Sequence, residues 1–394
     1  MNFPSEFAIR TKELFGEALY HRFAQEMDRE SHAFVRINKQ KCGDRFRVNG
    51  QQVAWCEEGF MLPNRPSFIF DPLWHAGCYY VQEQSSMFLA VILREHVKQP
   101  VRALDLCSAP GGKATLALSV LPSGSTLQCN DPNKKRFQIL EENIARWGMP
   151  NAVVTNQLPN EIRREGHRYD LILCDVPCSG EGMFRKDEDA VNGWSVEHVK
   201  HCQSVQREIL THAWSMLEDG GLMVYSTCTF NTEENEENVK WLCENFDAEV
   251  LPVKTMESWP ITHSLLKDFN APVYRFIPGS HSSNEIYGEG IFFAVLKRRG
   301  TLAAWQGVTP KQQTTEVIPQ TALDYQQAIT YLHGDVLRLS NELPKGLIEV
   351  TYQGVPLGLI KNIGTRANNL YPKSWRIKNT HVPNEIPQVL TLIK

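Results

Sequence analysis

The sequence predicts a three-part α/β protein: a mainly parallel, doubly wound sheet in the middle, an α+β segment before it and a small β-rich segment after it. Three observations carry this expectation. Apolar runs alternate with helical periods from Val101 to Lys297, the pattern of parallel strands joined by crossover helices. A Gln-, Thr- and Pro-bearing lapse then reads as a linker, beyond which short strand-like runs follow. The chain has 394 residues, too long for one typical domain and ample for two or three. The expected divisions are residues 1–98, 99–299, a linker over 300–320, and 321–394.

Taken in order, Ala8–Met27 has a helical period, and the rest of the first hundred residues mixes in short strands. Val101–Cys107 reads as the first central strand, ending in a Gly-rich turn, and Lys113–Val120 as a helix. Ser125–Asn130 is the next strand. Asn133–Gly148 follows as a helix, with Phe137, Leu140, Ile144 and Trp147 on one face. Asn151–Thr155 and Asp170–Asp175 are strands, Val205–Leu217 a helix before Gly220-Gly221, Gly221–Thr227 a strand and Glu234–Glu244 a helix. Val273–Ile277 and Ile291–Lys297 read as closing strands, and Leu347–Tyr352 and Pro356–Ile360 as strands of the last part.

Composition sets outer limits. Hydrophobic content is 42% and charged content 22%, as in soluble globular proteins. The longest apolar run, near Met87–Leu93, is far short of a membrane span, and Met1–Glu6 lacks a basic start followed by an apolar core. A cytoplasmic protein with reduced thiols is therefore expected. The ten cysteines include no CxxC pair, so no metal is expected. The net charge of −4 conceals an asymmetry. Bases and acids number 12 and 12 over residues 1–100, 20 and 27 over 101–300, and 9 and 6 over 301–394. Arg36, Lys39, Lys41, Arg45 and Arg47 face one acid, Asp44. Lys361, Arg366, Lys373, Arg376 and Lys378 face none and have Tyr371 and Trp375 among them. Solvated loops would give this pattern, and so would two polyanion-holding flanks around an acidic catalyst.

Four motifs stand at strand ends, where open α/β sheets bind ligands. Asp105-Leu106-Cys107-Ser108-Ala109-Pro110-Gly111-Gly112-Lys113 lets backbone approach a ligand at a helix start. It fits neither a Walker loop nor GxGxxG, which disfavours a phosphate and leaves a small polar ligand. Asp131 ends the second strand, where an acid commonly holds a ribose hydroxyl. Asp175-Val176-Pro177-Cys178 puts a carboxylate and then a cysteine past one strand, and Tyr225-Ser226-Thr227-Cys228 puts a second cysteine past its neighbour. Cys129, Cys174, Cys202 and Cys243 read instead as small buried apolar residues. Spacing alone does not choose between Cys178 and Cys228 as a nucleophile.

DLCSAPGGK at Asp105–Lys113, YDLILCDVPCSG at Tyr169–Gly180 and YSTCT at Tyr225–Thr229 resemble the motifs of the NOL/NOP/Sun RNA cytosine-C5 methyltransferases. Arg36-Ile37-Asn38, Tyr80–Glu83 and Glu233–Glu236 resemble further family segments, in family order. Pro356–Arg376 is similar to the PUA-like tail of RsmF-type bacterial members, which act on small-subunit ribosomal RNA. The resemblance implies a Rossmann-like methyltransferase domain between an RNA-contacting N-terminal domain and a PUA-like RNA-binding domain. It implies that Cys107, Ser108, Ala109, Pro110, Gly111, Gly112 and Lys113 wrap S-adenosylmethionine. Asp131 would hold its ribose with help from Arg136, and Asp175 would lie on both the cofactor and cytosine sides. Many members carry an Asp near the adenine where this chain has Asn156. Cys228 takes the nucleophile position and Cys178 the position tied to product release. Arg36, Lys39, Lys41, Lys361, Arg366, Tyr371, Lys373 and Arg376 are the expected RNA contacts, in a monomer acting on ribosomal RNA or the small subunit.

The implied chemistry explains the parts. Carbon 5 of cytosine is too weak a nucleophile until a thiolate adds to carbon 6. A carboxylate can bond the nitrogen edge of the base, and a second thiol can move a proton as the adduct breaks down. Competing readings are a tRNA cytosine-C5 methyltransferase, a methyltransferase of exocyclic amines, and a non-catalytic RNA-binding assembly factor. The exocyclic-amine chemistry needs an acid or amide and an aromatic residue after a double proline. Here a single Pro is followed by Cys178 and Ser179.

Overall fold

A run such as Leu171–Cys174, apolar at every position, is stable as a strand only if helices cover both faces of its sheet. All four residues are buried in the computed structural model, which describes residues 1–280, 288–308, 318–338, 343–364, 366–379 and 386–393. The central sheet has nine strands. Seven form its frame: β1 (Arg102–Asp105), β2 (Thr126–Asn130), β3 (Ala152–Thr155), β4 (Tyr169–Asp175), β5 (Leu217–Thr227), β6 (Val273–Phe276) and β7 (Ile291–Arg298). They lie in the order β3-β2-β1-β4-β5-β7-β6. β1 to β5 are parallel, and β7 runs antiparallel to both neighbours. The direction of winding reverses between β1 and β4, which opens a crevice beyond their carboxyl ends.

The expected elements form, with differences at their edges. The helix before β5 is Val196–Met216, nine residues longer at its start than the apolar pattern suggested. Ser195 caps it by accepting from His198 N at 3.0 Å, and its first turns are too polar to show a hydrophobic period. β5 starts at Leu217, and a register shift before Leu222 absorbs Glu218–Gly221. The Ala8–Met27 period is two helices, Ser5–Phe15 and Glu17–Met27, broken at Gly16. Its φ of 76° and ψ of 161° suit only glycine.

The flanking parts are not separate bodies. Phe34–Ile37, Gln51–Val53, Cys56–Met61 and Tyr79–Val81 form an antiparallel sheet. Gln320–Leu323, Gly346–Tyr352, Val355–Asn362 and Ala367–Asn369 form a mixed sheet, in which the first two strands are parallel. Both contribute to one apolar core, in which Val35, Ile37 and Leu73 meet Leu332, Ile348 and Ile360. His75 Nδ1 lies 2.9 Å from Tyr371 Oη across this core, and Leu390–Leu392 pairs with Phe46–Val48. The linker is only partly described, since residues 309–317 lie outside the described residues. Val308 N donates to Gly124 O at 3.0 Å, which ties its first stretch to the central domain.

Candidate active site

The glycine turn leaves β1 and enters the helix Gly112–Val120. Gly111 adopts φ 107°, and a Cβ there would press on Leu140 Cδ1 at 3.2 Å. With glycine as the N-cap, no side chain closes the helix start, so its first N–H groups stay open. Ser108 Oγ donates to Asp105 Oδ2 at 2.9 Å, while the buried Asp105 Oδ1 has no partner. Burial first, then the charges of Asp175 and Asp131, push the Asp105 carboxyl up to about 7 against the Ser108 bond and Lys113. Cys107 is buried and its thiol is also pushed up by burial, so it contributes backbone rather than chemistry.

Asp131, 1% exposed at the end of β2, closes the other wall. It accepts from Asn133 N at 3.0 Å and Ala109 N at 3.3 Å. Arg136 reaches both Asp131 Oδ2, at 3.4 Å, and Ala109 O, at 2.6 Å. Asn156 donates to the backbone oxygen of Asp131 at 2.7 Å. Both residues therefore hold the corner in shape. An open helix start suits a negative group, while an orphaned buried carboxyl oxygen and a fixed acid at a strand end suit a nucleoside that also carries a cationic one.

Asp175 ends β4. Its Oδ1 accepts from Ser226 Oγ and its Oδ2 from Lys113 Nζ, each at 2.8 Å. Lys113 therefore faces the Asp175 side, not the Asp131 corner. Beyond the sheet, Cys178 Sγ and Cys228 Sγ lie 3.2 Å apart, both partly buried. The contact with Cys228 and burial hold the Cys178 thiol well above its ordinary range. Of the cysteines read as small apolar residues, Cys129, Cys174 and Cys202 are buried, and Cys243 is half-buried. Sequence reasoning missed a network around the two thiols. Glu181, Asn231 and Glu234 are buried there and bonded to one another's loops. Burial and then Glu181 push the Glu234 carboxyl up to about 7. Glu234 lies in the Glu233–Glu236 segment that resembles the family, but without a role attached, and nothing flags Glu181, because a lone Glu reads as a solvated residue.

The expected RNA contacts divide. Lys361, Arg366 and Lys373 are exposed, and Arg376 is half-buried against Gly334. Lys39 is exposed but pairs with Glu58 at 3.3 Å and Glu57 at 3.6 Å. Three expectations are corrected. Arg36 is 1% exposed, donates to Gln82 at 2.7 Å and Thr115 Oγ1 at 2.6 Å, and lies over Trp147. Lys41 donates to Ala76 O and Arg146 O. Tyr371 is buried and bonded to His75. A charge or ring whose partners are all internal has no face left for RNA. Basic and aromatic spacing in sequence did not distinguish these from surface residues.

A nucleoside-shaped corner at the switch point of a β3-β2-β1-β4-β5-β7-β6 sheet defines the class as a Rossmann-like methyltransferase. The family described as 16S rRNA methyltransferase RsmB/F matches residues 90–297. The N-terminal domain of 16S rRNA methyltransferase RsmF matches 3–84, and the methyltransferase RsmF PUA domain matches 319–377. This chain belongs to the 16S rRNA methyltransferase RsmB/F family. It is 28% identical to ribosomal RNA small subunit methyltransferase F of Enterobacter sp. (strain 638), over 94% of this chain and 95% of that one. Identity to the protein of the same name from Klebsiella pneumoniae (strain 342) is 37%, over 64% of this chain and 52% of that one. A methyltransferase homolog protein from Pyrococcus horikoshii superposes with a TM-score of 0.62 at 28% identity, covering 75% of this chain and 96% of that one. NSun6 from Pyrococcus horikoshii shares the fold, with a TM-score of 0.62 at 20% identity, over 76% of this chain and 99% of that one. The enzyme is an S-adenosylmethionine-dependent methyltransferase. Among the described residues no helix is long and apolar enough to cross a membrane, and no cluster of three or more His, Cys, Asp or Glu could hold a metal.

Proposed function

We propose that this chain methylates carbon 5 of a cytosine in small-subunit ribosomal RNA through a covalent adduct between Cys228 and carbon 6. The observation that carries the reading is the Cys178–Cys228 contact of 3.2 Å beside the Lys113–Asp175 pair. S-adenosylmethionine supplies an electrophilic methyl group. Asp131 and the open N–H groups after Gly111 suit its ribose and polar end, and the orphaned Asp105 oxygen suits a positive centre.

Within the thiol pair, the place of Cys228 in Tyr225–Thr229, which resembles the family's nucleophile motif, makes it the sulfur to attack, with Cys178 3.2 Å away. Cys228 forms a bond to carbon 6, and the displaced π electrons make carbon 5 nucleophilic. Asp175, fixed by Lys113 and Ser226, is suited to bond the nitrogen edge of the base and balance charge there. Once carbon 5 is methylated, its proton leaves, the carbon–sulfur bond breaks, and the electron pair returns to Cys228. Cys178 is the base at hand: once the charge of Cys228 has gone into the carbon–sulfur bond, Cys178 as a thiolate takes the carbon-5 proton. The target base must be out of any stack to reach the thiols.

The functional division we propose is residues 1–98 and 321–394 as the RNA-holding parts, 99–299 as the catalyst and 300–320 as the connection. Thiols, carboxylate and cofactor corner all come from one chain, which supports a monomer, and a mechanism needing two reduced thiols suits the cytoplasm.

Opposite signatures of two substitutions test the mechanism. C228A is expected to give neither adduct nor methyl transfer. C178A is expected to give a protein–RNA species that persists through denaturing electrophoresis, and the double variant none. An adduct that survives C228A but is lost in C178A would reverse the two roles.

A further inference from the structure

The sheet does not set the distance between the two thiols. The last paired position of β4 and β5 is Asp175 with Ser226. Cys178 and Cys228 lie beyond it, on loops outside the strand ladder, joined by few backbone bonds. Two buried acids take over, each reaching from one loop to the other. Glu181, on the Cys178 loop, accepts from Phe230 N at 2.6 Å and Asn231 N at 3.1 Å, on the Cys228 segment. Glu234, on the Cys228 segment, accepts from Ser179 N at 2.9 Å, next to Cys178. Asn231 Nδ2 joins the acids, 2.8 Å from Glu234 Oε1 and 3.0 Å from Glu181 Oε1. Trp194 Nε1 anchors Glu181 at 3.0 Å and Gln206 Nε2 anchors Glu234 at 2.7 Å. Gly182 N also donates to Cys228 O at 2.8 Å, and the Ser179 and Thr229 hydroxyls meet at 2.9 Å.

Every hydrogen bond described for these two carboxylates comes from a neutral donor. Glu181 is 2% exposed and Glu234 0%. Burying acids without a cation is costly, and a fold needing only adhesion would do as well with apolar contacts. Rigid, directional bonds across two loops do what apolar packing does poorly: they fix two side chains to a fraction of an ångström.

We propose that Glu181 and Glu234 are positioning residues that hold Cys178 within reach of the Cys228 adduct, so that their bonds govern its discharge rather than its formation. The inference rests on the covalent mechanism above. Attack by Cys228 needs the substrate, Asp175 and its own loop. Discharge needs both loops in register. Loss of Glu234 therefore reproduces the loss of Cys178: the adduct forms and stays.

The test compares the unmodified enzyme, C178A, E234A, E234Q and N231A, each with unmethylated small-subunit ribosomal RNA and S-adenosylmethionine. Turnover, the adduct fraction on denaturing gels and cofactor affinity by calorimetry are read together. E234A is expected to lose roughly tenfold or more in turnover while its adduct fraction rises towards that of C178A, with cofactor affinity within about twofold. E234Q keeps one acceptor oxygen and should fall between E234A and the unmodified enzyme. N231A, which spares both acids, should trap adduct as well, and it carries the test alone if E234A does not bind cofactor. Adduct and turnover falling together in variants that bind cofactor normally would overturn the proposal, as a merely structural role predicts. A C178A protein without adduct would instead overturn the assignment of attack to Cys228 and discharge to Cys178, and this inference with it.

Discussion

Lys113 Nζ lies 2.8 Å from Asp175 Oδ2, so the last residue of the glycine turn belongs to the catalytic side of the crevice. Burial pulls the Lys113 ammonium down, but the charge and hydrogen bond of Asp175 outweigh it and leave its pKa raised. The pair with Lys113 gives Asp175 a defined direction.

K113M is therefore expected to reduce methyl transfer by about 2 kcal/mol, roughly thirtyfold, with cofactor affinity little changed. Steady-state kinetics alongside calorimetry separates the two. Cofactor affinity that falls as far as turnover would return Lys113 to the cofactor, where its place in the glycine motif puts it.

Asp131 should show the opposite division. D131N keeps the shape but weakens a charge-assisted bond, and should cost about 1.5–3 kcal/mol of cofactor affinity while RNA binding holds. Unchanged affinity in calorimetry would remove Asp131 from the cofactor site.

For the tail, the shared core rules out a simple deletion. Removing the last sheet would uncover Val35, Ile37 and Leu73, so a truncated protein would report on folding. The triple variant K361Q/R366Q/K373Q changes only exposed residues. It should weaken RNA binding at low salt and flatten the salt dependence by about 0.7 log units for each phosphate no longer neutralised on single-stranded RNA. R36Q should instead lower the unfolding midpoint, because it breaks buried bonds to Gln82 and Thr115. A salt slope unaltered by the triple variant would move the RNA elsewhere.

His75 gives a pH signature. Buried against Tyr371 Oη and Ile69 O, it has a pKa lowered by burial to about 3. The unfolded chain takes up that proton near pH 6.5. The stability His75 contributes is therefore complete above pH 6.5 and is lost as pH falls towards 3. Between pH 7.5 and 5.0 the unmodified protein should lose about 2 kcal/mol more than H75Q. Asp71, pushed up to about 6 by burial, acts in the opposite sense but is common to both proteins. Urea unfolding at the two pH values checks this, and equal losses would mean that His75 is protonated in the folded protein.

The sequence showed the strands well because burial on both faces leaves unbroken apolar runs, as at Leu171–Cys174. Helix starts were legible where apolar spacing began at once, as in Lys134–Trp147, and not where a polar surface turn preceded it, as at Val196. The two thiols and three acids could be picked out because strand ends concentrate chemistry. Glu181 could not, and Glu234 only as part of a family-like segment, since their meaning lies in which amide they meet across two loops. Arg36 and Tyr371 misled for the mirror-image reason: residue types favoured by RNA also make internal bridges, and only burial distinguishes the uses.

The shared core also orders how the protein is made. During synthesis the central sheet can close once Ile291–Arg298 has left the ribosome, since it contains every strand of its own frame. The Phe34–Tyr79 region is made far earlier; Phe34, Trp55 and Cys56 pack on the central domain, but Val35, Ile37 and Leu73 find their partners in residues from Leu323 onward. That second apolar face must wait through most of translation, and its contacts span nearly the whole length of the chain. The catalytic middle thus matures first, and the parts that flank it become a single unit only when the last strands arrive.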